Sequence, residues 1–392
     1  MRGVLIALGV IVVLATILLA VGWVFSSRVI VPAPYGLMPE FEVLASSRAP
    51  DPRITLPRLE DPAQHARVDV VGTYGLVWEG GYGQLGTVVA DDPVSVTRRL
   101  NVVEGQLPPA GTPARVDNFV YRSDPEAAFG MPHEELSLAG PEGSVRAWYV
   151  PPGAEDSASG TGVLMLHGRR RGELIELLRF IPPFHASGAH VLAQSYRNHD
   201  SSAASSDGLY HYGASEWEDA IVGARELATR GVDRIVLFGV SMGGAVVLEA
   251  LERWPSDLPE VVAVVLDSPL VDPYATVRLG AVKSGLPLPG PLTRLALLVA
   301  GWRIGSDFSD LVQARDAAQV AVPVMVVAGT ADSTVPIDSV DEFVASLRVP
   351  VTYHRLDGVE HVEGWNSVGA QRYAQWVEEF LSSLIVRALA AG

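Results

Sequence analysis

The strongest hydrophobic pattern in the chain is an apolar run at its N-terminus. Residues 4–25 are apolar apart from two glycines and Thr16. As a helix this run would be about 33 Å long, which is enough to cross the hydrocarbon core of a bilayer. The apolar region of a cleaved signal peptide is shorter, at about 7–15 residues. We therefore expect residues 1–30 to form an uncleaved transmembrane anchor, and the alternatives are a cleaved signal peptide or a buried core helix.

Proline-rich sequence and then short β-type runs follow the N-terminal segment. Residues 31–66 are rich in proline and show no hydrophobic period, which is typical of a linker. Beyond them, runs of β-branched and aromatic residues at 68–71, 84–89 and 95–103 alternate with glycine-rich turns. We predict that residues 67–133 form a small β-rich appendage, and we find no catalytic motif in it.

After residue 134 the pattern changes to apolar strands that alternate with amphipathic helices. A predicted hairpin at 135–150 is followed by predicted strands at 162–166, 191–195, 234–238, 261–266, 324–328 and 352–356. Predicted helices cover 173–185, 215–230, 242–253, 338–347 and 368–389. This alternation is typical of an α/β fold, with a mostly parallel sheet covered by helices on both faces. We predict that residues 134–392 form one such domain.

Composition and charge exclude several classes of function. The formal net charge is −16 and no basic run offers a phosphate-binding footprint, so we expect no nucleic-acid partner. The chain has no cysteine, which excludes disulfide frameworks, thiolate metal sites and cysteine nucleophiles. His185, His190, His199 and His211 lack a metal-ligand spacing supported by acidic residues. We therefore expect neither a metal nor another cofactor.

The sharpest chemical signal lies between a predicted strand and a predicted helix. Residues 239–244 read Gly-Val-Ser-Met-Gly-Gly, which fits the Gly-x-Ser-x-Gly pattern of a nucleophile-bearing turn. Such a turn requires glycine because neighbouring backbone segments approach closely. The turn would expose Ser241 above the sheet. It would also direct the backbone N–H of Met242 at the reacting carbonyl, at a helix N-terminus where negative charge is favoured. We predict that Ser241 is a nucleophile.

A serine nucleophile needs a base and an orienting acid, which follow it here in the chain order serine, acid, histidine. Asp332 follows the strand predicted at 324–328, and His361 follows the next strand. We predict that Asp332 holds His361 in the tautomer that accepts the serine proton. The alternative acid is Asp267, at the end of the preceding strand, and the weaker alternative base is His354, inside a strand.

The strand order, the serine turn, the aspartate after the penultimate strand and the late histidine are together similar to the α/β-hydrolase superfamily. The similarity extends over about residues 134–389. Within the superfamily the chain resembles the membrane-anchored α/β-hydrolase-domain proteins and the catalytic domain of prolyl oligopeptidase-like serine peptidases. The resemblance implies an α/β-hydrolase fold for the domain that begins at residue 134.

The loop after the strand at 162–166 resembles the His-Gly motif of this superfamily. The resemblance implies that the backbone N–H of Arg169 is the second oxyanion donor, beside that of Met242, and that His167 is structural. The arginine run at 169–171 is either a solvated loop or a contact with an anionic group of the substrate.

The resemblance also implies a helical cap over the nucleophile, at residues 269–315. Three prolines interrupt this segment, and residues 292–302 are mostly apolar but too few to cross a membrane. We expect part of this apolar surface, including Leu295 and Leu298, to line an acyl pocket. The alternative is that it serves helix packing alone.

These features lead to one functional hypothesis and two alternatives. The hypothesis is a serine hydrolase that cleaves an ester or thioester through an acyl-enzyme intermediate. The alternatives are a serine peptidase or amidase with the same triad, and a catalytically inactive, membrane-tethered binding protein. The expected partners are a small-molecule or acyl substrate and the membrane, and the oligomeric state does not follow from the sequence. We expect a single-pass protein whose catalytic domain lies on the extracytoplasmic side, held clear of the bilayer by the proline-rich linker.

Overall fold

The molecule has three parts, which are an N-terminal helix, a small antiparallel sheet and a larger, mostly parallel sheet. A computed structural model describes residues 2–32, 38–48, 51–59, 68–153, 160–169, 173–199, 201–313 and 317–391. The N-terminal helix α1 spans Arg2–Ile30. Its segment Gly9–Ile30 has a mean hydropathy of 2.5 and is, by length and composition, able to cross a membrane.

The small sheet has seven antiparallel strands. They are β1 (Phe41–Glu42), β2 (Ala45–Ser47), β3 (Arg53–Pro57), β4 (Tyr74–Trp78), β5 (Gly81–Asp91), β6 (Ser95–Glu104) and β7 (Pro113–Asp117). Their order in the sheet is β1-β7-β4-β5-β6-β3-β2. Ile54, Leu76 and Leu100 belong to the hydrophobic core of this β-rich domain.

This sheet begins earlier in the chain than the sequence pattern predicts. Strands β1, β2 and β3 lie within residues 31–66, where we predicted a linker, and β3 pairs with β6 along its whole length. In β3 the buried residues Ile54 and Leu56 alternate with partly exposed ones. The strands are short and lie among prolines, so this alternation is too brief to be distinguished from a linker by pattern alone.

The strand expected at residues 68–71 does not form, and these residues make a turn and a bend instead. The carbonyl oxygens of Val68 and Val70 accept hydrogen bonds of 3.3 and 3.0 Å from the guanidinium of Arg98, which is fully buried. The carbonyl of Gly72 accepts another from the same group. The backbone carbonyls here therefore accept hydrogen bonds from a buried charged side chain rather than from a neighbouring strand.

Within the described residues the larger sheet has eight strands, and from β10 onward the strands alternate with helices along the chain, as the sequence pattern predicts. Its strands are β8 (Glu134–Gly140), β9 (Gly143–Val150), β10 (Thr161–Leu166), β11 (His190–Gln194), β12 (Arg234–Val240), β13 (Glu260–Asp267), β14 (Val324–Gly329) and β15 (Val351–Leu356). The order is β15-β14-β13-β12-β10-β11-β9-β8. Strands β15 to β11 are parallel in this order, whereas β9 and β8 are antiparallel to their neighbours.

Helices cover both faces of this sheet. The helices after α1 are α2 (Pro125–Phe129), α3 (Leu174–Leu177), α4 (Ile181–Ala186), α5 (Trp217–Thr229), α6 (Met242–Glu252), α7 (Pro273–Lys283), α8 (Pro289–Ile304), α9 (Ile337–Ser346), α10 (Gly364–Val368) and α11 (Ala370–Ala391). Leu237 of β12 packs in a core with α5, α6 and α9, and the next residue, Phe238, packs in a second core with α3, α4 and α11. Successive strand residues thus point to opposite faces, as burial on both sides requires.

The topology brings four loops to one edge of the sheet. Because β10, β12, β14 and β15 are parallel, their carboxyl ends lie at the same edge. Arg169, Ser241, Asp332 and His361 all follow these ends. Helices α7 and α8 occupy the segment in which we predicted a cap.

Candidate active site

Ser241 occupies a strained turn between strand β12 and helix α6. Its backbone φ is 51° and its ψ is −116°, a backbone conformation that residues other than glycine rarely adopt. A Cβ at Gly239 would lie 2.6 Å from the carbonyl oxygen of Gly243, and a Cβ at Gly243 would lie 2.3 Å from that of Leu166. The two glycines therefore allow backbone segments to approach closely enough to hold Ser241 in the turn.

Ser241, His361 and Asp332 form one hydrogen-bonded line. The Nε2 atom of His361 lies 2.9 Å from Ser241 Oγ, and its Nδ1 atom lies 2.7 Å from Asp332 Oδ2. A carboxylate only accepts, so Nδ1–H donates to Asp332 and Nε2 is left to accept the serine O–H. The side chains of His361 and Asp332 are only 10% and 3% exposed. The residue predicted as the base thus lies within hydrogen-bonding distance of both the predicted nucleophile and the predicted acid.

The second oxygen of Asp332 is held by the backbone. Its Oδ1 atom accepts hydrogen bonds from the amides of Thr334, at 2.8 Å, and Val335, at 2.7 Å. Both oxygens of the carboxylate therefore have fixed partners. Such contacts fix the direction in which the carboxylate points at His361.

Asp267, the alternative acid, lies nearby but has different partners. It is fully buried, and its Oδ2 atom accepts a hydrogen bond of 3.0 Å from the hydroxyl of Tyr373. Burial raises the pKa of Asp267 to about 6, although Arg179 and His361 oppose that shift. Its carboxylate makes no hydrogen bond to His361 within the residues that the structure describes.

His354, the weaker alternative base, packs away from the nucleophile. Its ring stacks on that of Trp376 in α11, with the ring centroids 3.9 Å apart. Burial lowers the pKa of His354, which disfavours its charged form.

The loop after β10 lies directly against the nucleophile. A Cβ at Gly168 would lie 3.2 Å from the Cβ of Ser241, so glycine avoids a tight contact at this approach. The Gly168 N–H donates a hydrogen bond of 2.6 Å to the buried carboxylate of Glu176, which holds the loop in place. Arg169 and Met242, whose amides we predicted as oxyanion donors, both line the cavity that opens at Ser241.

His167 and Arg169 are engaged in packing and capping. His167 is fully buried, stacks on Tyr196 with ring centroids 4.5 Å apart, and has its pKa lowered by that burial. The Arg169 side chain donates a hydrogen bond of 3.0 Å to the carbonyl of Arg28, at the end of α1. Its guanidinium also lies over the ring of Tyr212. The other two arginines of the run lie outside the described residues.

A cavity of about 360 Å³ opens at Ser241. Helices α7 and α8 supply much of its lining, through residues that include Val277, Leu292 and Ala296. The expectation for the cap differs in detail from this lining, because Leu298 is 72% exposed, and Leu295 packs against Gly22.

The sequence patterns missed one wall of this cavity. Phe25, Arg28 and Val29 of α1 line it together with Ser241. No local signal in the sequence distinguishes these residues from the rest of the apolar N-terminal segment.

Comparison with known proteins places this fold and these residues in a family. Residues 163–384, more than half of the chain, match the family model described as the alpha/beta hydrolase family. Residues 42–117, which cover most of the β-rich domain, match a domain of unknown function.

The similarity to individual relatives extends over about two thirds of this chain. Protein YfhR of Escherichia coli, an uncharacterized protein, is 23% identical over 274 residues, which are 69% of this chain and 86% of the relative. The Pyrococcus furiosus esterase Pf2001 superposes with a TM-score of 0.50 and 20% identity, over 66% of this chain and 95% of its own. A putative hydrolase of Agrobacterium vitis gives a TM-score of 0.48 and 17% identity, over 64% of this chain and 99% of its own.

The α/β-hydrolase fold expected from the sequence is thus confirmed by the family match and by the arrangement of strands and helices. The chain belongs to the α/β-hydrolase family.

Proposed function

We propose that this hydrolase-family protein is a serine hydrolase that cleaves an ester or thioester through an acyl-enzyme intermediate. The observation that carries the proposal is the line of hydrogen bonds from Asp332 through His361 to Ser241, with distances of 2.7 and 2.9 Å. The line ends at the mouth of a largely apolar cavity, where an acyl group has room to bind.

In the first half of the reaction, the Oγ atom of Ser241 attacks the carbonyl carbon of the substrate. Its proton passes to Nε2 of His361, and Asp332 stabilises the imidazolium that results. The carbonyl oxygen becomes an oxyanion, which accepts hydrogen bonds from the amides of Arg169 and Met242. The bond to the leaving group then breaks, and the leaving alkoxide or thiolate takes the proton from His361.

In the second half, water hydrolyses the acyl-enzyme. His361 takes one proton from the attacking water, whose oxygen forms a bond to the acyl carbon. The ester bond to Ser241 breaks, and the serine oxygen recovers the proton from His361. The acid leaves, and the three side chains return to their starting protonation states.

The runner-up is a serine peptidase or amidase with the same three residues. The lining of the cavity favours an acyl substrate, because it is mostly apolar and lacks a carboxylate among the described residues that could bind a free α-amino group. Comparing rates on matched octanoyl esters and octanoyl amides decides between the two reactions. A higher kcat/KM for the amide would contradict the assignment to esters.

Labelling with a fluorophosphonate tests the proposed nucleophile. The wild-type chain should be labelled, and Ser241→Ala should not. Ser309→Ala is a matched control, because Ser309 is exposed and does not line the cavity at Ser241. Labelling that survives in Ser241→Ala would contradict the assignment of the nucleophile. A wild-type chain that shows no labelling dependent on Ser241 and hydrolyses no ester in a broad panel would favour an inactive binding protein.

We also propose that α1 is retained as a single-pass anchor with the catalytic domain on the extracytoplasmic side. The proposal rests on the apolar length of Gly9–Ile30. N-terminal sequencing of the protein extracted from membranes tests retention, and a mature chain that begins after Phe25 would show that the segment is a cleaved signal. Protease protection in sealed spheroplasts tests the side on which the catalytic domain lies.

A further inference from the structure

The end of helix α1 is locked into the hydrolase domain. The Tyr212 hydroxyl donates a hydrogen bond of 2.6 Å to the carbonyl of Val29, and the amide of Tyr210 donates one of 2.8 Å to the carbonyl of Ile30. Arg169 binds the carbonyl of Arg28, as described above. These donors satisfy carbonyls that have no partner at the end of a helix, and a cation there is also favoured by the helix dipole. The helix is therefore built into the domain and is not a free tether.

Helix α8 of the cap runs along α1 in the same direction. A Cβ at Gly22 would lie 2.7 Å from a methyl group of Val299, so glycine permits close contact between the helices. Further along both helices, the Arg303 guanidinium donates hydrogen bonds of 2.9 Å to Ser26 Oγ and 2.8 Å to Ser27 Oγ. Because the two helices run the same way, the first turns of α8 lie beside the apolar part of α1 that precedes Gly22.

The outer surface of the cap exposes large apolar side chains beside this helix pair. Leu298 is 72% exposed and Trp302 is 75% exposed. The Trp302 ring makes an edge contact with the ring of Trp23, at a centroid distance of 6.4 Å. Tryptophan is enriched where a protein meets the boundary of a bilayer. This surface continues the apolar surface of α1, which indicates that the cap meets the same bilayer.

The cavity at Ser241 has an amphiphilic lining. Its walls are mostly apolar, with Phe25 and Val29 on the α1 side. Thr293 is 1% exposed, and its hydroxyl has no hydrogen-bond partner within the described part of the chain. The hydroxyl of Thr276, which also lines the cavity, has none there either. An unpaired buried hydroxyl is costly, and an oxygen acceptor on a bound ligand would remove that cost. The lining thus suits an apolar chain that carries oxygen acceptors.

We propose, on the basis of the function proposed above, that the substrate is a membrane lipid with an acyl ester, and that α1 is a wall of its acyl site. The lipid enters the cavity from the bilayer. Its acyl chain lies against Phe25 and Val29, and its ester carbonyl reaches Ser241. Residues of the N-terminal helix therefore determine which acyl chains are accepted.

A chain-length series tests the wall. The full-length protein is reconstituted into phosphatidylcholine vesicles and assayed on methylumbelliferyl acetate, octanoate and palmitate. Phe25→Ala enlarges the acyl site, so it should raise the ratio of kcat/KM for palmitate over octanoate by about fivefold or more, and Phe25→Trp should lower that ratio. Val24→Ala is the matched control, because Val24 is the adjacent residue of the same helix, is exposed and does not line the cavity.

The ratio of kcat/KM for palmitate over octanoate distinguishes between the possible results. Opposite shifts in the two Phe25 variants, with none in Val24→Ala, support the proposal. An unchanged ratio in the Phe25 variants overturns it. If Phe25→Ala does not fold, Phe25→Leu replaces it and is expected to shift the ratio in the same direction.

A second arm tests entry from the bilayer. A fluorogenic phospholipid acyl ester is placed either in the vesicles that hold the enzyme or in separate, enzyme-free vesicles. Hydrolysis should be at least about tenfold faster in the shared bilayer, because the lipid and the enzyme are confined to one membrane. Equal rates would overturn lateral entry. Hydrolysis of the water-soluble acetate that depends on Ser241 reports on the proposed function separately, so its failure is distinguishable from failure of the lipid proposal.

Discussion

The hydroxyl of Tyr74, in the β-rich domain, donates a hydrogen bond of 3.0 Å to the carboxylate of Glu363, two residues after His361. The side-chain amide of Asn366 extends this interface by donating to the carbonyls of Thr73, at 2.8 Å, and Asn118, at 3.0 Å. The β-rich domain therefore contacts the loop that carries the proposed catalytic histidine.

A second buried contact joins the same two regions. The fully buried guanidinium of Arg179 donates hydrogen bonds of 2.8 Å to the carbonyl of Asn118 and 3.0 Å to that of Val362. Val362 follows His361 directly and has a positive φ of 58°. These contacts hold strained backbone beside the base, which indicates that the β-rich domain positions the histidine loop.

Tyr74→Phe should weaken this support. Loss of the hydrogen bond to Glu363 should lower the free energy of unfolding by about 0.5–1.5 kcal/mol and lower kcat by a few-fold, with little change in KM. Urea unfolding and steady-state kinetics on one ester measure both. Tyr82→Phe is the matched control, because Tyr82 lies in the same β-rich domain and its hydroxyl has no hydrogen-bond partner among the described residues. Equal effects in the two variants would contradict a specific role for Tyr74.

Ser241→Ala and His361→Ala should each lower kcat by about 10⁴- to 10⁶-fold, and the double variant should be little worse than either single one. The reason is that the nucleophile and its base act as one unit, so removing either abolishes the same step. Single-turnover assays on the purified protein measure the rates, and circular dichroism checks folding. Multiplicative losses in the double variant would show that the two residues act independently.

Replacing the two candidate acids separates their roles. Asp332→Asn should lower kcat severely, although less than Ser241→Ala, because the amide can donate and thereby favours the wrong histidine tautomer. Asp267→Asn should be milder, because Asp267 binds Tyr373 rather than His361. Measuring kcat for both variants on the same ester shows which of the two acids contributes more to catalysis. If Asp267→Asn is the more damaging change, the assignment of the acid is wrong.

Asp267→Asn should also change the dependence of stability on pH. Burial raises the pKa of Asp267 to about 6 in the folded chain, so the folded state binds this proton more tightly than the unfolded state. Its contribution to stability is present below about pH 4 and is lost as the pH rises through 6. As the pH rises from 4 to 7, the free energy of unfolding of the variant should therefore increase by on the order of 1–3 kcal/mol relative to that of wild type. Stability curves that remain parallel over this range would contradict the prediction.

Thr293→Val should stabilise the protein while weakening substrate binding. The change keeps the shape of the side chain and removes a buried hydroxyl that has no partner among the described residues, so the free energy of unfolding should rise by about 1 kcal/mol. The same change removes a donor to a bound ester, so KM for a long-chain ester should rise about three- to tenfold. Thermal unfolding and steady-state kinetics test both effects. A lower stability with unchanged KM would show that the hydroxyl serves the fold instead.

Local patterns were sufficient to predict the succession of strands and helices along the chain after residue 134 and the turn at Ser241. Gly239 and Gly243 contact each other across the turn and lie only four residues apart, so the sequence itself contains this part of the constraint. The close approach of Gly243 to Leu166 depends on the folded sheet. Asp332 and His361 were predicted because they follow the serine turn in the chain order serine, acid, histidine, each after a strand of a parallel sheet. Burial on both faces also marked the central strands as continuous apolar runs.

Pattern alone did not decide which carboxylate contacts His361. Asp267 ends strand β13 and Asp332 follows the neighbouring strand β14, and both strands are mostly apolar. Only the folded loops direct Asp332 at His361 and place Asp267 under Tyr373. The choice depends on loop geometry, which the alternation of polar and apolar residues does not encode.

The role of α1 was likewise decided only by the tertiary structure. Its sequence determined a long apolar helix, because each residue there prefers to leave water. A hydrophobic pattern does not distinguish whether the helix packs against lipid, a cap helix or a substrate cavity. The contacts of Gly22 with Val299 and of Val29 with Tyr212 join residues far apart in the chain, so they exist only once the sheet has placed those partners beside the helix.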